Sequence, residues 1–183
     1  MPPSHPFIHV RTQENWTPTG RRTSTPARRA ALYYAFGRDK EAQLEGRQRG
    51  EWLGPDGRTR TQEEVMAWVR DGAMNSRYTF QGILSVPEGD LTAAEFNRAM
   101  RQGVQIKDWR LIAHDDTKHR HAHVLWFGDK RLEKKTFLAW QAEVRAELVR
   151  LEEQLTNGRA AEQESGLEMG QSRAKGQEVS FGW

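Results

Sequence analysis

The chain has 183 residues, a formal net charge of +3 and no cysteine. That length suits one globular domain of ordinary size, and the lack of cysteine excludes disulfides and thiolate metal sites, so a metal would be held by imidazole and carboxylate, which suits Mn²⁺, Mg²⁺, Zn²⁺ or a similar cation. No apolar run approaches the ~20 residues needed to cross a bilayer and Met1-Pro2-Pro3-Ser4-His5 does not resemble a signal peptide, so a cytoplasmic protein without a membrane segment is expected.

Phe7-Ile8-His9-Val10 reads as a short first strand, followed by a polar, proline-containing loop to about Ser24. From Pro18 to Arg38 there are five arginines, Arg21, Arg22, Arg28, Arg29 and Arg38, and no acid, a block suited to binding a polyanion or to lying solvated. Thr25 can cap a helix with Pro26 in its first turn, running through Ala30-Ala31-Leu32, Tyr33 and Tyr34 to Phe36 and ending near Gly37 or a turn or two later. Glu51-Trp52-Leu53 and Arg58-Thr59-Arg60 flank the turn sequence Gly54-Pro55-Asp56-Gly57, as in a small hairpin. Thr61 and Glu64 form a capping box for a helix carrying Val65, Trp68 and Val69, with Gly72 as its stop; Thr92 and Glu95 open another, through Phe96, Ala99 and Met100 to Gly103. Between them Tyr78, Phe80, Gly82, Leu84 and Val86 share one strand parity, as on a well-buried sheet face.

The run His114-Asp115-Asp116-Thr117-Lys118-His119-Arg120-His121-Ala122-His123 holds four of the six histidines between two apolar stretches, Leu111-Ile112-Ala113 and Val124-Leu125-Trp126-Phe127. If His121 to Phe127 is a strand, His121 and His123 project from one face while Ala122, Val124 and Trp126 take the other. Two imidazoles on one face make half of a metal site, and a preceding strand ending near His114 brings a third ligand, its imidazole or the Asp116 carboxylate. His119 falls in the loop, as suited to solvent or DNA as to a metal. From about Glu133 to Asn157, Phe137, Trp140, Val144, Leu148, Leu151 and Leu155 recur at helical spacing and read as core. Residues 158–183 are polar and Gly-containing and are expected to be a disordered tail after a domain spanning 1–157. The fold class is therefore α+β: an antiparallel sheet with helices packed on one face, the metal site on central strands and the histidine face open.

These residues resemble the relaxases, DNA-nicking enzymes of plasmid mobilisation in the HUH endonuclease group. His121-Ala122-His123 resembles the histidine pair that names the group, and His114, Asp116, His121 and His123 together resemble the longer relaxase pattern. Ala27-Arg28-Arg29-Ala30-Ala31-Leu32-Tyr33-Tyr34 is similar to the relaxase first motif, a tyrosine on an early helix. The resemblance covers residues 7 to about 150. It implies strand-specific nicking and rejoining of single-stranded DNA at the hairpin and nick site of a plasmid transfer origin, through a 5′-phosphotyrosyl link, in a bacterial or plasmid-encoded protein with possible accessory mobilisation partners. Initiators of the same group carry the tyrosine downstream of the pair; this chain has no tyrosine after Tyr78, so the relaxase arrangement is the one it can satisfy.

A tyrosine hydroxyl with its pKa of ~10 is a poor nucleophile at neutral pH and needs electrophilic activation and a route for its proton. A divalent cation held by His114, His121 and His123 would supply the first; Asp116 suits the role of proton acceptor or orienter of a ligand imidazole. Adjacent helical residues point ~100° apart, so Tyr33 and Tyr34 cannot both face the metal. By the resemblance, Tyr34, with Leu32 two positions before and Ala35 after, is the preferred nucleophile. Arg21, Arg22, Arg28 and Arg29 are candidate phosphate contacts and Trp52 or Trp126 a base-stacking aromatic, against solvated charge and core placement; Trp109, Trp126 and Trp140 suit the core. Two alternatives remain: a histidine-triad nucleotide hydrolase, from the alternating His119, His121 and His123, and a non-catalytic DNA-binding replication or repressor module with a structural metal.

Overall fold

A computed structural model describes residues 5–87, 90–114 and 120–175, the last with side chains as far as residue 160. In chain order the elements are β1 (Phe7–Glu14), α1 (Thr25–Phe36), α2 (Lys40–Glu45), β2 (Trp52–Leu53), β3 (Thr59–Arg60), α3 (Gln62–Asn75), β4 (Tyr78–Ser85), α4 (Ala93–Gln102), β5 (Arg110–His114), β6 (His121–Gly128) and α5 (Lys134–Lys175). The strands form one six-stranded sheet in the order β1-β4-β6-β5-β2-β3, with every neighbouring pair antiparallel. The fold is α+β, and β5 and β6, which carry the histidines, lie inside the sheet.

The two faces differ in composition because strand parity sorts them. Ile8 on β1, Phe80 and Leu84 on β4, Ala122, Val124 and Trp126 on β6, and Leu111 and Ala113 on β5 join α4 and α5 in the larger core. The expected stripe on α5 seals it: Trp140, Val144, Leu148 and Leu151 are buried, and Phe137 and Leu155 pack at its margins. The opposite parity brings Ile112 and Leu125 together with Trp52, Ala31, Tyr34, Ala35, Val65 and Val69 into a second core under α1 and α3. This corrects the expectation of an open histidine face. Helices cover both faces, because α1 and α3 each present a buried apolar edge that needs a sheet beneath it.

Both capping boxes form, Thr61 with Glu64 and Thr92 with Glu95. Other boundaries differ from the expected ones. β1 runs past Val10 to Glu14 because β4 offers it a ladder along its whole length, from Phe7 opposite Ser85 to Glu14 opposite Tyr78. Ser24, not Thr25, is the N-cap of α1, and its side chain makes no capping bond; the Thr25 N–H instead donates to the Thr23 hydroxyl at 3.2 Å. Gly72 does not end α3, which continues to Asn75. Its missing side chain admits the Phe127 ring, whose Cδ2 would lie 2.3 Å from a Cβ there. The short α2 adds to the elements expected from the sequence; Asp39, whose carboxylate accepts from Ala42 N at 2.9 Å, and the left-handed Gly46 at φ 71° bracket it. α5 extends to Lys175, beyond the expected end at Asn157. The extension includes Gly158, Gly166 and Gly170, each costing a helix about 1 kcal/mol relative to alanine, among helix formers such as Ala160, Ala161, Glu162 and Gln163.

Candidate metal centre

His114 ends β5 and His121 begins β6, and the register pairs them directly; His123 pairs with Ile112 on β5 and Ile83 on β4. Directly paired residues of an antiparallel ladder share a face, so all three imidazoles project to the same side. Their strands are anchored by Leu111, Ile112, Ala122, Val124 and Leu125, all fully buried. One potential ligand atom from each histidine falls within 4.8 Å of the others, with ring centroids 4.8 to 5.0 Å apart. His114 and His123 are buried and His121 is half-buried.

The hydrogen bonding fits a cation. His114 Nε2 lies 2.6 Å from the Tyr34 carbonyl oxygen; a carbonyl only accepts, so Nε2 carries the proton and Nδ1 of the neutral ring keeps its lone pair. That Nδ1 stands 3.2 Å from His121 Nε2. Two nitrogens bound to one cation at ~2.1 Å, with a tetrahedral or octahedral angle, lie roughly 3.0–3.4 Å apart. His123 Nδ1 is buried without a hydrogen-bond partner among the described residues, an orphaned polar atom of the kind that ligation satisfies. Burial, then the neighbouring His114, His121 and Arg49, push the His123 pKa down from 6.5 to about 3, so the ring is in the neutral form that a metal requires.

α1 lies across this face, and Tyr34 grips two of the histidines. Its ring stacks on His123 with centroids 4.0 Å apart and planes 16° from parallel, while its carbonyl holds His114. Its hydroxyl donates to Gln81 Oε1 at 3.3 Å. Burial pushes the Tyr34 pKa up from 10.0 to about 12; the positive charge of Arg11 opposes the rise and Tyr33 adds to it. Tyr33, one position earlier, turns outward and is 47% exposed. A cleft of about 620 Å³ borders the cluster at His123 on the β1 side, where Arg11, Arg29, Tyr33, Tyr34, Gln81 and His123 line it.

Of the expected phosphate contacts, Arg29 alone is in this lining. Arg28 is exposed elsewhere on α1, Arg21 is exposed in the preceding loop, and Arg22 is half-buried with its guanidinium 4.7 Å from the Trp16 ring centroid. Neither expected stacking tryptophan is available to a base. Trp52 is fully buried and donates to Gln62 Oε1 at 2.8 Å; Trp126 is 3% exposed and stacks on Phe80. Trp109, Trp126 and Trp140 occupy the core as expected. Asp116 and His119 lie outside the described residues. Two arginines near the site were not singled out from the sequence. Arg11 shares the parity of His9 and Gln13 on β1, a signal that depends on knowing the strand passes Val10. Arg49 sits in a loop, its N–H donating to Ala35 O at 2.7 Å and its side chain over Gly37.

The fold and site together define an α+β protein with a three-histidine cluster able to hold a divalent cation. No family model, curated protein or solved structure matches the chain.

Proposed function

We propose that the chain is a metal-dependent DNA-nicking and rejoining enzyme of the relaxase type, with Tyr34 as its nucleophile. The observation that carries this reading is the seating of Tyr34, ring on His123 and carbonyl on His114, which fixes one tyrosine of the early helix against the histidine cluster. His114, His121 and His123 would hold the cation, Mn²⁺ or Mg²⁺ first and Zn²⁺ as the alternative. When bound there, a cation would supply polarisation of the scissile phosphate and stabilisation of charge on its non-bridging oxygens.

The remaining work falls to the chain. Gln81 orients the Tyr34 hydroxyl. The phenol, protonated at neutral pH, gives up its proton to an acceptor as its oxygen attacks phosphorus; Asp116 is the candidate by sequence. The bond from phosphorus to the 3′-oxygen breaks, that oxygen takes up a proton, and the 5′ end remains on Tyr34 as a phosphodiester, so rejoining is the same exchange in reverse. Arg11 and Arg29 in the adjoining cleft can hold neighbouring phosphates.

The test incubates the protein with Mn²⁺ or Mg²⁺ and single-stranded oligonucleotides from the transfer-origin region of its own replicon, and looks for a covalent protein-DNA band on a denaturing gel. Tyr34→Phe removes the band and Tyr33→Phe retains it. Persistence of the band in the double phenylalanine variant overturns the tyrosine mechanism. Turnover of nucleotides without an adduct supports the histidine-triad alternative, and tight binding without cleavage supports a non-catalytic module.

A further inference from the structure

A second cleft, of about 980 Å³, lies at the other end of α1. It is formed by Phe36, Gly37, α2 and the loop after α2, and carries Arg38, Arg47 and Arg49. The cleft beside His123 is formed instead by α1 with β1, β4 and β6, and carries Arg11 and Arg29. Tyr33 is the residue common to both linings. Along α1 the rise from Arg29 to Phe36 is about 10 Å at ~1.5 Å per residue, the span of about three stacked nucleotides at ~3.4 Å per phosphate.

The charges lining these clefts favour an anionic strand. Among the described residues no acid lines the histidine-side cleft. The second cleft contains one, Asp39, and its carboxylate is already engaged as the N-cap of α2. Arg47 pairs with Glu45, but both side chains are at least half exposed, and an exposed pair of this kind is worth little, so Arg47 can exchange its partner for a phosphate. Between the clefts, the Tyr33 ring stands out from a helix whose neighbouring positions Ala31, Tyr34 and Ala35 are buried. An exposed aromatic between two cationic clefts matches the stacking platform of sequence-tolerant single-strand binding, where every base offers a π-face.

Building on the single-stranded DNA reading of the metal site, we propose that Tyr33 is a base-stacking platform and that the strand crosses α1 over it, with phosphates held by Arg11 and Arg29 on one side and by Arg38 and Arg47 on the other. This gives Tyr33 a role separate from that of Tyr34: it holds the strand while its neighbour reacts.

The test measures binding of a fluorescently labelled oligothymidylate to the full chain by anisotropy across a salt series, without added metal. Tyr33→Phe keeps the ring and binds as the unaltered protein does. Tyr33→Ala weakens binding about tenfold, the loss of one stacked base. Arg11→Ala and Arg38→Ala each reduce the slope of log affinity against log salt by about 0.7, one phosphate contact on a single strand. Unchanged binding by Tyr33→Ala, an equal loss in Tyr33→Phe, an unaltered salt slope in both arginine variants, or no binding of the strand by the unaltered protein overturns the proposal. Thermal melts show whether each variant is folded, and if Tyr33→Ala is not, Tyr33→Leu, which keeps an apolar side chain without the ring, reads the same loss. The covalent-band assay is read separately: unchanged binding by Tyr33→Ala with the Tyr34 adduct formed refutes this proposal alone, and weakened binding by Tyr33→Ala with no adduct in the unaltered protein refutes the nicking reading alone.

Discussion

At the scale of single residues, the site rests on one tyrosine whose ring and carbonyl engage different histidines. Its burial has a consequence for the proposed chemistry. A phenol raised to about 12 is fully protonated at neutral pH, so its proton must leave as the new bond forms, and a Tyr34→Phe variant keeps the stacking on His123 while losing the reacting oxygen. His123 makes a second, independent prediction for the metal-free protein. Its folded pKa of about 3 lies below the ordinary 6.5, so below pH 6.5 the unfolded chain binds a proton there that the folded chain does not. Stability from this residue is complete above pH 6.5 and falls as pH drops towards 3, with a slope of up to about 1.4 kcal/mol per pH unit. Urea titrations in chelator at pH 7.5, 5.5 and 4.5 check this: His123→Gln has a shallower acid decline, by about one proton, than the unaltered chain. Parallel declines would show that the ring is protonated in the folded state.

At the scale of elements, close approaches fix how the helices sit on the sheet. α3 meets β6 at Gly72, where the Phe127 ring occupies the space of a side chain. Gly72→Ala improves the intrinsic helix propensity of the position by about 1 kcal/mol, yet places a methyl group inside a ring that Trp68 also packs against, with centroids 4.8 Å apart. Overpacking of this kind costs about 1–3 kcal/mol, and the steric cost exceeds the propensity gain, so the midpoint of chemical denaturation falls. A rise in the midpoint would mean that Phe127 can rotate away freely. At the end of α1, Gly37 adopts φ 65°, a left-handed conformation open to glycine at little cost. It turns the chain towards α2, and the loop after α2 brings the Arg49 side chain back over Gly37.

At the scale of the whole molecule, two cores share one sheet, and the site lies on the thinner side. The larger core under α4 and α5 carries most of the bulky side chains, with Leu148 fully buried at its centre. Leu148→Ala leaves a cavity and costs about 2–5 kcal/mol, on the face of the sheet away from the histidines. A melt with and without Mn²⁺ separates the two sides. Leu148→Ala lowers the melting temperature but retains the upward shift on metal addition, whereas His121→Ala melts close to the unaltered protein and loses the shift. A metal shift retained by His121→Ala would place the binding elsewhere.

The histidine strands, both capping boxes, the Gly54–Gly57 turn and the α5 stripe were legible in the sequence because each is a local pattern: a strand parity, a box of three-residue spacing, a turn sequence, a helical period. From these alone His121 and His123 share a face and Tyr33 and Tyr34 diverge. The rest depended on partners distant in the chain. That α1 and α3 cover the histidine face, that Trp52 is sealed beneath them, that β1 lengthens along β4 to present Arg11, and that Arg49 returns to the end of α1 all follow from the strand order β1-β4-β6-β5-β2-β3 and the packing it imposes. The sequence by itself determined which side chains can ligate a cation and the local geometry that aims them. Only the tertiary structure decided which tyrosine meets them and which arginines surround them, because long-range burial, unlike periodicity, is a property of the assembled sheet and its helices.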